Sequence, residues 1–294
     1  MAASAQGETG ADGRVLAPLG RRRSAVVANS PSGGYTLLTA LDPDGPLPKA
    51  GQFYMLAAEH GWGGGGGRPF LPRAFSVADA TAGETGVRLT FVLEDVGPGT
   101  HELAGLAEGD GLLLTGPLGR PFSPPRDVNP GAAGAILAGG GIGLAPLALL
   151  RRDLAARGFP ERSLLGFRDE AHSGGLELFR CSELRLASED GHAGHRGYVT
   201  DLLAVMLEGD DAAATAVVYA CGPPAMLEAV RALCEECGVA AELALESPMA
   251  CGYGACFGCA MPLRGGGYMR LCVDGPVVDA GAIETALVEG AGHR

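Results

Sequence analysis

GAAGAILAGGGIGLAPLALL, residues 131–150, is the stretch on which the fold turns. Its length and lack of charge would permit a membrane-spanning helix. The internal order argues for something else, because AILA is a short β-like run, three glycines follow it, and a proline enters the next apolar segment. A strand, a tight turn and a helix fit that order. LAPLALLRRDLAARG (144–158) continues as the helix and meets a glycine stop at Gly158. Downstream, SLLGF (163–167), GYVTDLLAVML (197–207), AVVYACG (216–222) and PAMLEAVRALCEECG (224–238) keep alternating strand-like and helix-like segments. Residues 128–241 are therefore expected to form a parallel α/β domain.

Upstream the period changes. SAVVANS (24–30), YTLLTALD (35–42), GQFYMLAA (51–58), RAFSVADA (73–80) and VRLTFVLE (87–94) are short runs rich in β-branched and aromatic residues, divided by Gly, Pro and Asp. They favour an antiparallel barrel or sandwich over roughly residues 22–125. The glycine run Gly63–Gly67 falls between two of them and reads as a surface loop.

Composition narrows the function. Of 294 residues, 34 are acidic and 22 are Lys or Arg, for a formal net charge of -12, which disfavours nonspecific binding to nucleic acid or to an anionic membrane. The first thirty residues hold no apolar signal-peptide core, so a cytoplasmic protein without an integral membrane segment is expected. With 49 glycines following no collagen period and 47% hydrophobic residues, the chain reads as folded, with many tight turns.

The last segment, 242–294, is short for a core of its own, yet it carries Cys251, Cys256, Cys259 and Cys272 in the spacing C-x4-C-x2-C-x12-C. The first three match plant-type [2Fe-2S] spacing, and four thiolates supply two ligands per iron. Glycines beside Cys251 permit a tight wrap in which backbone N–H groups reach sulfur. Four sulfurs also suit tetrahedral zinc, so the spacing by itself leaves that alternative open. Cys234 and Cys237 form a second CxxC, but with Leu227 and Val230 they recur at helical spacing and are expected to line a buried helix face. Cys181 has no spacing partner and reads as an incidental thiol.

Two further signatures point to nucleotides. Gly139, Gly140, Gly141 and Gly143 lie where a strand meets a helix, a geometry that brings backbone amides and a positive helix end to a pyrophosphate. Cys221, Gly222 and Pro223 follow a second strand and can converge on the same crevice. In the barrel, Arg73, Ala74, Phe75 and Ser76 offer a guanidinium for phosphate beside a hydroxyl, and VGPGT (96–100) adds Gly99 and Thr100 before a helix start.

Together these motifs resemble the electron-transfer subunits of bacterial NAD-dependent (class 1B) dihydroorotate dehydrogenases, within the ferredoxin reductase-like group. RAFS and VGPGT resemble the FAD-binding segments of that family, GPLGRPF (116–122) the segment closing the barrel, and GGGIGLAPL with CGPP the nicotinamide segments. ESPMACGYGACFGCAMPL (246–263) followed by YMRLCVDGPVV (268–278) is the most discriminating match, since other ferredoxin domains usually place the last cysteine much farther on. The resemblance implies an FAD barrel at 22–127, an NAD domain at 128–241 and a [2Fe-2S] domain at 242–294. It implies that Arg73 contacts the FAD pyrophosphate and Ser76 the flavin. It further implies an FMN-containing catalytic partner that oxidises dihydroorotate, a heterotetramer of two plus two subunits, and a place in pyrimidine (UMP) biosynthesis, with no catalytic residue for substrate oxidation on this chain. A subunit of an NADP-dependent ferredoxin or sulfide oxidoreductase is the nearest alternative, and a non-enzymatic iron-sulfur redox sensor or scaffold is another.

Overall fold

The computed structural model describes residues 8–9, 15–16, 20–63, 69–180, 183–209 and 215–288. Cys181 and residues 64–67 of the glycine run lie outside that set. Near the N-terminus, β1 (Glu8–Thr9) and β2 (Val15–Leu16) form a short antiparallel pair. Six strands follow: β3 (Arg22–Ser32), β4 (Tyr35–Asp42), β5 (Phe53–Ala58), β6 (Arg73–Gly83), β7 (Gly86–Leu93) and β8 (Gly111–Leu118). They close an antiparallel barrel in the order β3-β4-β7-β6-β5-β8, the barrel rather than the sandwich of the two arrangements that the upstream pattern allows. Leu38, Leu56, Val77, Leu89 and Leu112 are buried, and Tyr54 meets Phe91 edge-to-face with centroids 5.7 Å apart. Asp42 is fully buried and is held by Arg22, whose Nη2 lies 2.6 Å from Oδ2 and also donates to the Gly116 carbonyl. A buried carboxylate needs such a partner, and this one ties β3, β4 and β8 together.

Helix α1 (Pro98–Ala104) leaves β7 and α2 (Pro125–Val128) precedes the second half of the chain. There, β9 (Gly134–Gly140), α3 (Leu144–Ala156), β10 (Glu161–Phe167), β11 (Leu184–Ser188), β12 (His195–Arg196), α4 (Val199–Gly209), β13 (Ala216–Cys221), α5 (Pro224–Cys237) and β14 (Ala241–Ala244) alternate along the sequence. The strands of this half are mutually parallel in the order β12-β11-β10-β9-β13-β14. Residues 135–140 of β9 and all of β13 are buried, the signature of strands covered on both faces. Residues 131–150 thus fold as strand, turn and helix. Among the described residues, no helix is long and apolar enough to cross a membrane.

Helix α5 departs from the sequence expectation at its last turn. Leu227, Val230 and Cys234 are buried, but Cys237 is exposed, because the helix ends there and Gly238 turns the chain away in a left-handed cap. Burial, then the neighbouring Cys237, pushes the Cys234 thiol up to about 12, far from an exchange-active thiolate.

After β14, β15 (Ala260–Pro262) and β16 (Tyr268–Arg270) form a small hairpin, and β17 (Val277–Asp279) returns to pair antiparallel with β14 at the sheet edge. The C-terminal segment therefore shares its core with the rest of the molecule. Met261, Leu271, Val278 and Ile283 pack in one cluster with Leu227 and Val230 of α5 and with Phe53 and Met55 of the barrel. A second cluster runs from barrel residues such as Tyr35 and Val77 into Leu144, Leu147 and Ala148 of α3. Glu242 of β14 anchors the linker as well, accepting from Ser123 N at 2.7 Å and Ser123 Oγ at 2.6 Å, while burial pushes its carboxyl pKa up.

Candidate functional site

A cleft of about 370 Å3 opens between the barrel, the start of α3 and the chain after β14. Arg73, Ala74, Phe75 and Ser76 at the start of β6 form one wall, with Thr100 and Glu94 beside them. Ile142, Gly143, Ala145 and Pro146 form the opposite wall, Cys221 closes the floor at the end of β13, and residues 244–249 complete the rim. The barrel motif and the two sheet-end motifs thus converge on one space, as ligand crevices do at the carboxyl ends of parallel strands.

The glycines do not share one task. A Cβ on Gly143 would sit 2.5 Å from the Cys221 carbonyl carbon and 2.6 Å from Gly222 N, so Gly143 and Gly222 allow two turns to pack backbone to backbone. Gly141 adopts φ +53, the left-handed region that glycine tolerates. A Cβ on Gly139 would press on Leu165 at 2.8 Å, and one on Gly140 on Pro223 at 3.0 Å, so these two serve close packing beneath the cleft. Burial, reinforced by Glu246, pushes the Cys221 thiol up, leaving a neutral group at the floor.

Arg73 is tightly placed. Its Nη1 donates to the Leu71 carbonyl at 2.6 Å, its guanidinium lies 5.8 Å from the centroid of the Trp62 ring, and Gly99 approaches so closely that a Cβ there would be 2.8 Å from Nε. Trp62 was not legible as a site residue, since it lies beside the glycine run. The available signal was that it is the chain's single tryptophan, eleven residues before Arg73. Thr100 lines the cleft, and its hydroxyl is also engaged within its own turn. Its Oγ1 accepts from Val96 N and Gly97 N and donates to Gly97 O, each at 2.9 Å, which fixes the turn into α1.

A second cavity, of about 510 Å3, is lined by residues that adjoin those of the first along the chain. Trp62, Leu71 and Pro72 line it on the barrel side, and Ala250, Cys251, Tyr253 and Cys256 on the other. Both cavities share their walls in sequence: 71–72 face one and 73–76 the other, while 244–249 face the cleft and 250–256 the second cavity.

The four cysteines gather as two pairs. Cys259 Sγ is 3.2 Å from Cys272 Sγ, both residues being buried, and the Cys272 amide approaches Cys259 Sγ at 3.5 Å. Cys256 neighbours Cys251, and both thiols are free. Burial opposes ionisation of Cys251, but the backbone amides of Cys256, Tyr253 and Ala255 and the Cys256 thiol outweigh it, lowering the thiol to about 6. Burial and then Cys259 push Cys272 up to about 12. Gly252 at φ +80 and Gly254 at φ +84 turn the loop around Cys251. A Cβ on Gly252 would be 2.6 Å from Met55 Cγ, so the loop rests directly on the barrel. Among the described residues, no group of three or more His, Cys, Asp or Glu side chains is arranged to hold a metal ion.

Residues 246–284 match the family of the iron-sulfur cluster binding domain of dihydroorotate dehydrogenase B. The chain is 35% identical over 237 residues to the dihydroorotate dehydrogenase B (NAD(+)) electron transfer subunit of Caldanaerobacter subterraneus subsp. tengcongensis, covering 79% of this chain and 86% of that one. It is 32% identical to the corresponding subunit of Clostridium perfringens, with 80% and 87% covered. Among solved structures, the NADH-dependent reduced ferredoxin-NADP oxidoreductase superposes with a TM-score of 0.74 at 25% identity over 89% of this chain and 90% of that one. Phthalate dioxygenase reductase, at 18% identity and a TM-score of 0.57 over 91% and 96%, shares the fold. The barrel and parallel sheet thus form a ferredoxin reductase-like fold, and the chain belongs to the family of electron transfer subunits of NAD-dependent dihydroorotate dehydrogenase B.

Proposed function

We propose that this chain takes electrons from the FMN of a separate dihydroorotate-oxidising subunit and passes them through a [2Fe-2S] cluster and FAD to NAD+, in pyrimidine (UMP) biosynthesis. The observation that carries the reading is that two continuous stretches of chain line both cavities in turn: residues 73–76 and 244–249 line the cleft, while Leu71, Pro72, Ala250, Cys251, Tyr253 and Cys256 line the cysteine-bearing cavity. When bound, a [2Fe-2S] cluster exchanges single electrons and FAD couples them to the two-electron hydride chemistry of a nicotinamide.

The residues present fit these groups. Cys251 with Cys256 and Cys259 with Cys272 give two thiols for each of two irons, and the amides around Cys251 favour its thiolate. Arg73, held between Trp62 and Gly99, would grip the FAD pyrophosphate, and Ser76 would meet the flavin edge. The Gly141–Gly143 turn and the start of α3 would receive the nicotinamide dinucleotide's pyrophosphate, with Cys221–Pro223 below it. Substrate oxidation resides on the partner, which would dock over the exposed Tyr253 and Phe257 of the cysteine loop in a cytoplasmic assembly of two plus two subunits.

Arg73→Ala is expected to weaken FAD binding by about 1.5–3 kcal/mol through loss of a charged hydrogen bond. Trp62→Leu should weaken it less, since the guanidinium stays but loses the aromatic face that orients it. Equilibrium titration of apoprotein with FAD checks the order; equal affinity in all three proteins would remove Arg73 from the site.

Protein loaded with FAD but depleted of iron should still oxidise NADH with an artificial acceptor, and should lose electron delivery from the catalytic subunit. Equal loss of both reactions in folded, FAD-loaded protein contradicts the order of carriers. The likeness to the NADH-dependent reduced ferredoxin-NADP oxidoreductase favours a second reading, a subunit serving ferredoxin and NADP. Anaerobic co-purification tests the choice: a dihydroorotate-oxidising flavoprotein partner with NADH preference selects the first reading, and a ferredoxin-linked partner selects the second.

A further inference from the structure

The two walls of the cleft belong to different halves of the chain, so their separation depends on what fixes one half to the other. Domains joined by small polar interfaces move relative to each other by default. Here α3 lies against β6 within a shared core, and Arg152 of α3 pairs with Asp79 of β6. A second attachment lies at the tip of the β3–β4 hairpin. Gly34 N donates to Ser173 O at 2.7 Å, Gly175 N donates to Ser32 Oγ at 2.8 Å, and Tyr35 Oη donates to His172 O at 2.5 Å.

This contact is as close as backbones can come. A Cβ on Gly34 would overlap the Ala171 carbonyl oxygen and sit 2.7 Å from its carbon, and one on Gly174 would overlap Ser32 O. The 171–175 loop is itself held by Asp169, which accepts from His172 N at 2.9 Å and from His172 Nδ1 at 2.5 Å. Tyr35 also reaches the nucleotide loop, its Oη being 3.6 Å from where a Gly141 Cβ would stand. One barrel hairpin therefore touches both the loop after β10 and the turn after β9.

We propose that this hairpin is a fixed spacer: Ser32, Gly34 and Tyr35 are positioning residues that set the gap between the barrel wall and the nucleotide-loop wall, and so the approach of a nicotinamide ring to a flavin. The inference rests on the flavin and nicotinamide reading of the cleft proposed above. Hydride transfer is acutely sensitive to such a gap, a misplacement of about 1 Å costing up to about 100-fold in rate.

Two kinds of variant test it in the full-length, FAD-loaded protein. Gly34→Ala is a wedge, since Gly34 lies outside the left-handed region and alanine meets only the steric obstacle. The double variant S32A/Y35F is a loosening that removes two hydrogen bonds and keeps nearly all the volume, and it serves where the wedge fails to fold. Anaerobic stopped-flow should show the limiting rate of FAD reduction by NADH falling about 10- to 100-fold in the wedge and less in the loosened protein. FAD and NADH dissociation constants should be unchanged, while amide exchange at Gly175 speeds up in both variants. Wild-type limiting rates in variants whose Gly175 amide exchanges faster would overturn the spacer while leaving the functional reading intact. Wild-type protein that holds FAD but is not reduced by NADH would overturn that reading, and the inference with it.

Discussion

Cys259→Ser should abolish electron delivery from the catalytic partner while leaving NADH oxidation by an artificial acceptor near wild type. Cys259 is 2% exposed and lies 3.2 Å from Cys272, inside the core that the C-terminal segment shares with α5. Serine nearly preserves the volume, so the packing survives, but a hydroxyl is a poor ligand for iron at neutral pH and half of one iron's protein ligands are lost. Cys234→Ser is the matched control. Cys234 is 1% exposed and belongs to the same core, so it should lose about 1–3 kcal/mol for burying a hydroxyl and keep full iron and sulfide content. Iron and inorganic sulfide analysis with reduced-state electron paramagnetic resonance provides the readout. Stoichiometric zinc without sulfide in anaerobically isolated wild-type protein would sink the cluster assignment.

A point substitution is needed because the cysteine segment is not separable. Deleting 245–294 would remove β17 from the sheet edge and strip Met261, Leu271, Val278 and Ile283 from a core that includes Leu227 and Val230. Loss of partner binding in such a truncation would then report damage to the sheet as much as loss of an interface.

What could be read from the sequence was local. The glycine and proline order at 131–150, the cysteine intervals and the RAFS tetrapeptide carry their chemistry within a few consecutive residues, where spacing fixes geometry. The missing parts depend on approaches between distant segments. Nothing in VVD at 277–279 tells a three-residue loop from an edge strand until β14 offers its partner. Ser32–Tyr35 meets the 171–175 loop across some 140 residues of sequence, and a glycine pair at a hairpin tip ordinarily signals only the turn. The turn bonds of the Thr100 hydroxyl to Val96, Gly97 and the Gly97 carbonyl likewise emerge only once the chain has folded around it. Cys237 followed the helical period but sits where the helix stops, so periodicity overstated its burial.

Gly143→Ala should reduce the rate of flavin reduction by NADH about 10- to 100-fold, with a stability loss of about 1–3 kcal/mol from overpacking. Gly143 has φ -61 and ψ -11, an ordinary helical conformation, so alanine carries no backbone strain and the whole effect is steric. The added methyl would overlap the Cys221 carbonyl, 2.5 Å from its carbon and 2.6 Å from Gly222 N, and these backbone atoms are fixed by β13, whose six residues are all buried in the sheet. The nucleotide turn must therefore lift away from the cleft floor, carrying the first residues of α3 with it. Gly140→Ala provides the contrast, since its Cβ would first meet the sulfur of Met226, a flexible side chain that can swing aside, although Pro223 at 3.0 Å leaves little room. The expected order of damage is Gly143→Ala well above Gly140→Ala, appearing in both the NADH dissociation constant and the limiting rate because the turn and the helix start move together. FAD retention should be unaffected in both, Arg73 and Ser76 lying on the opposite wall. Should Gly143→Ala bind and oxidise NADH as wild type does, the close packing of the two turns would have no part in shaping the cleft, and the nicotinamide assignment of the Gly141–Gly143 turn would lose its structural basis.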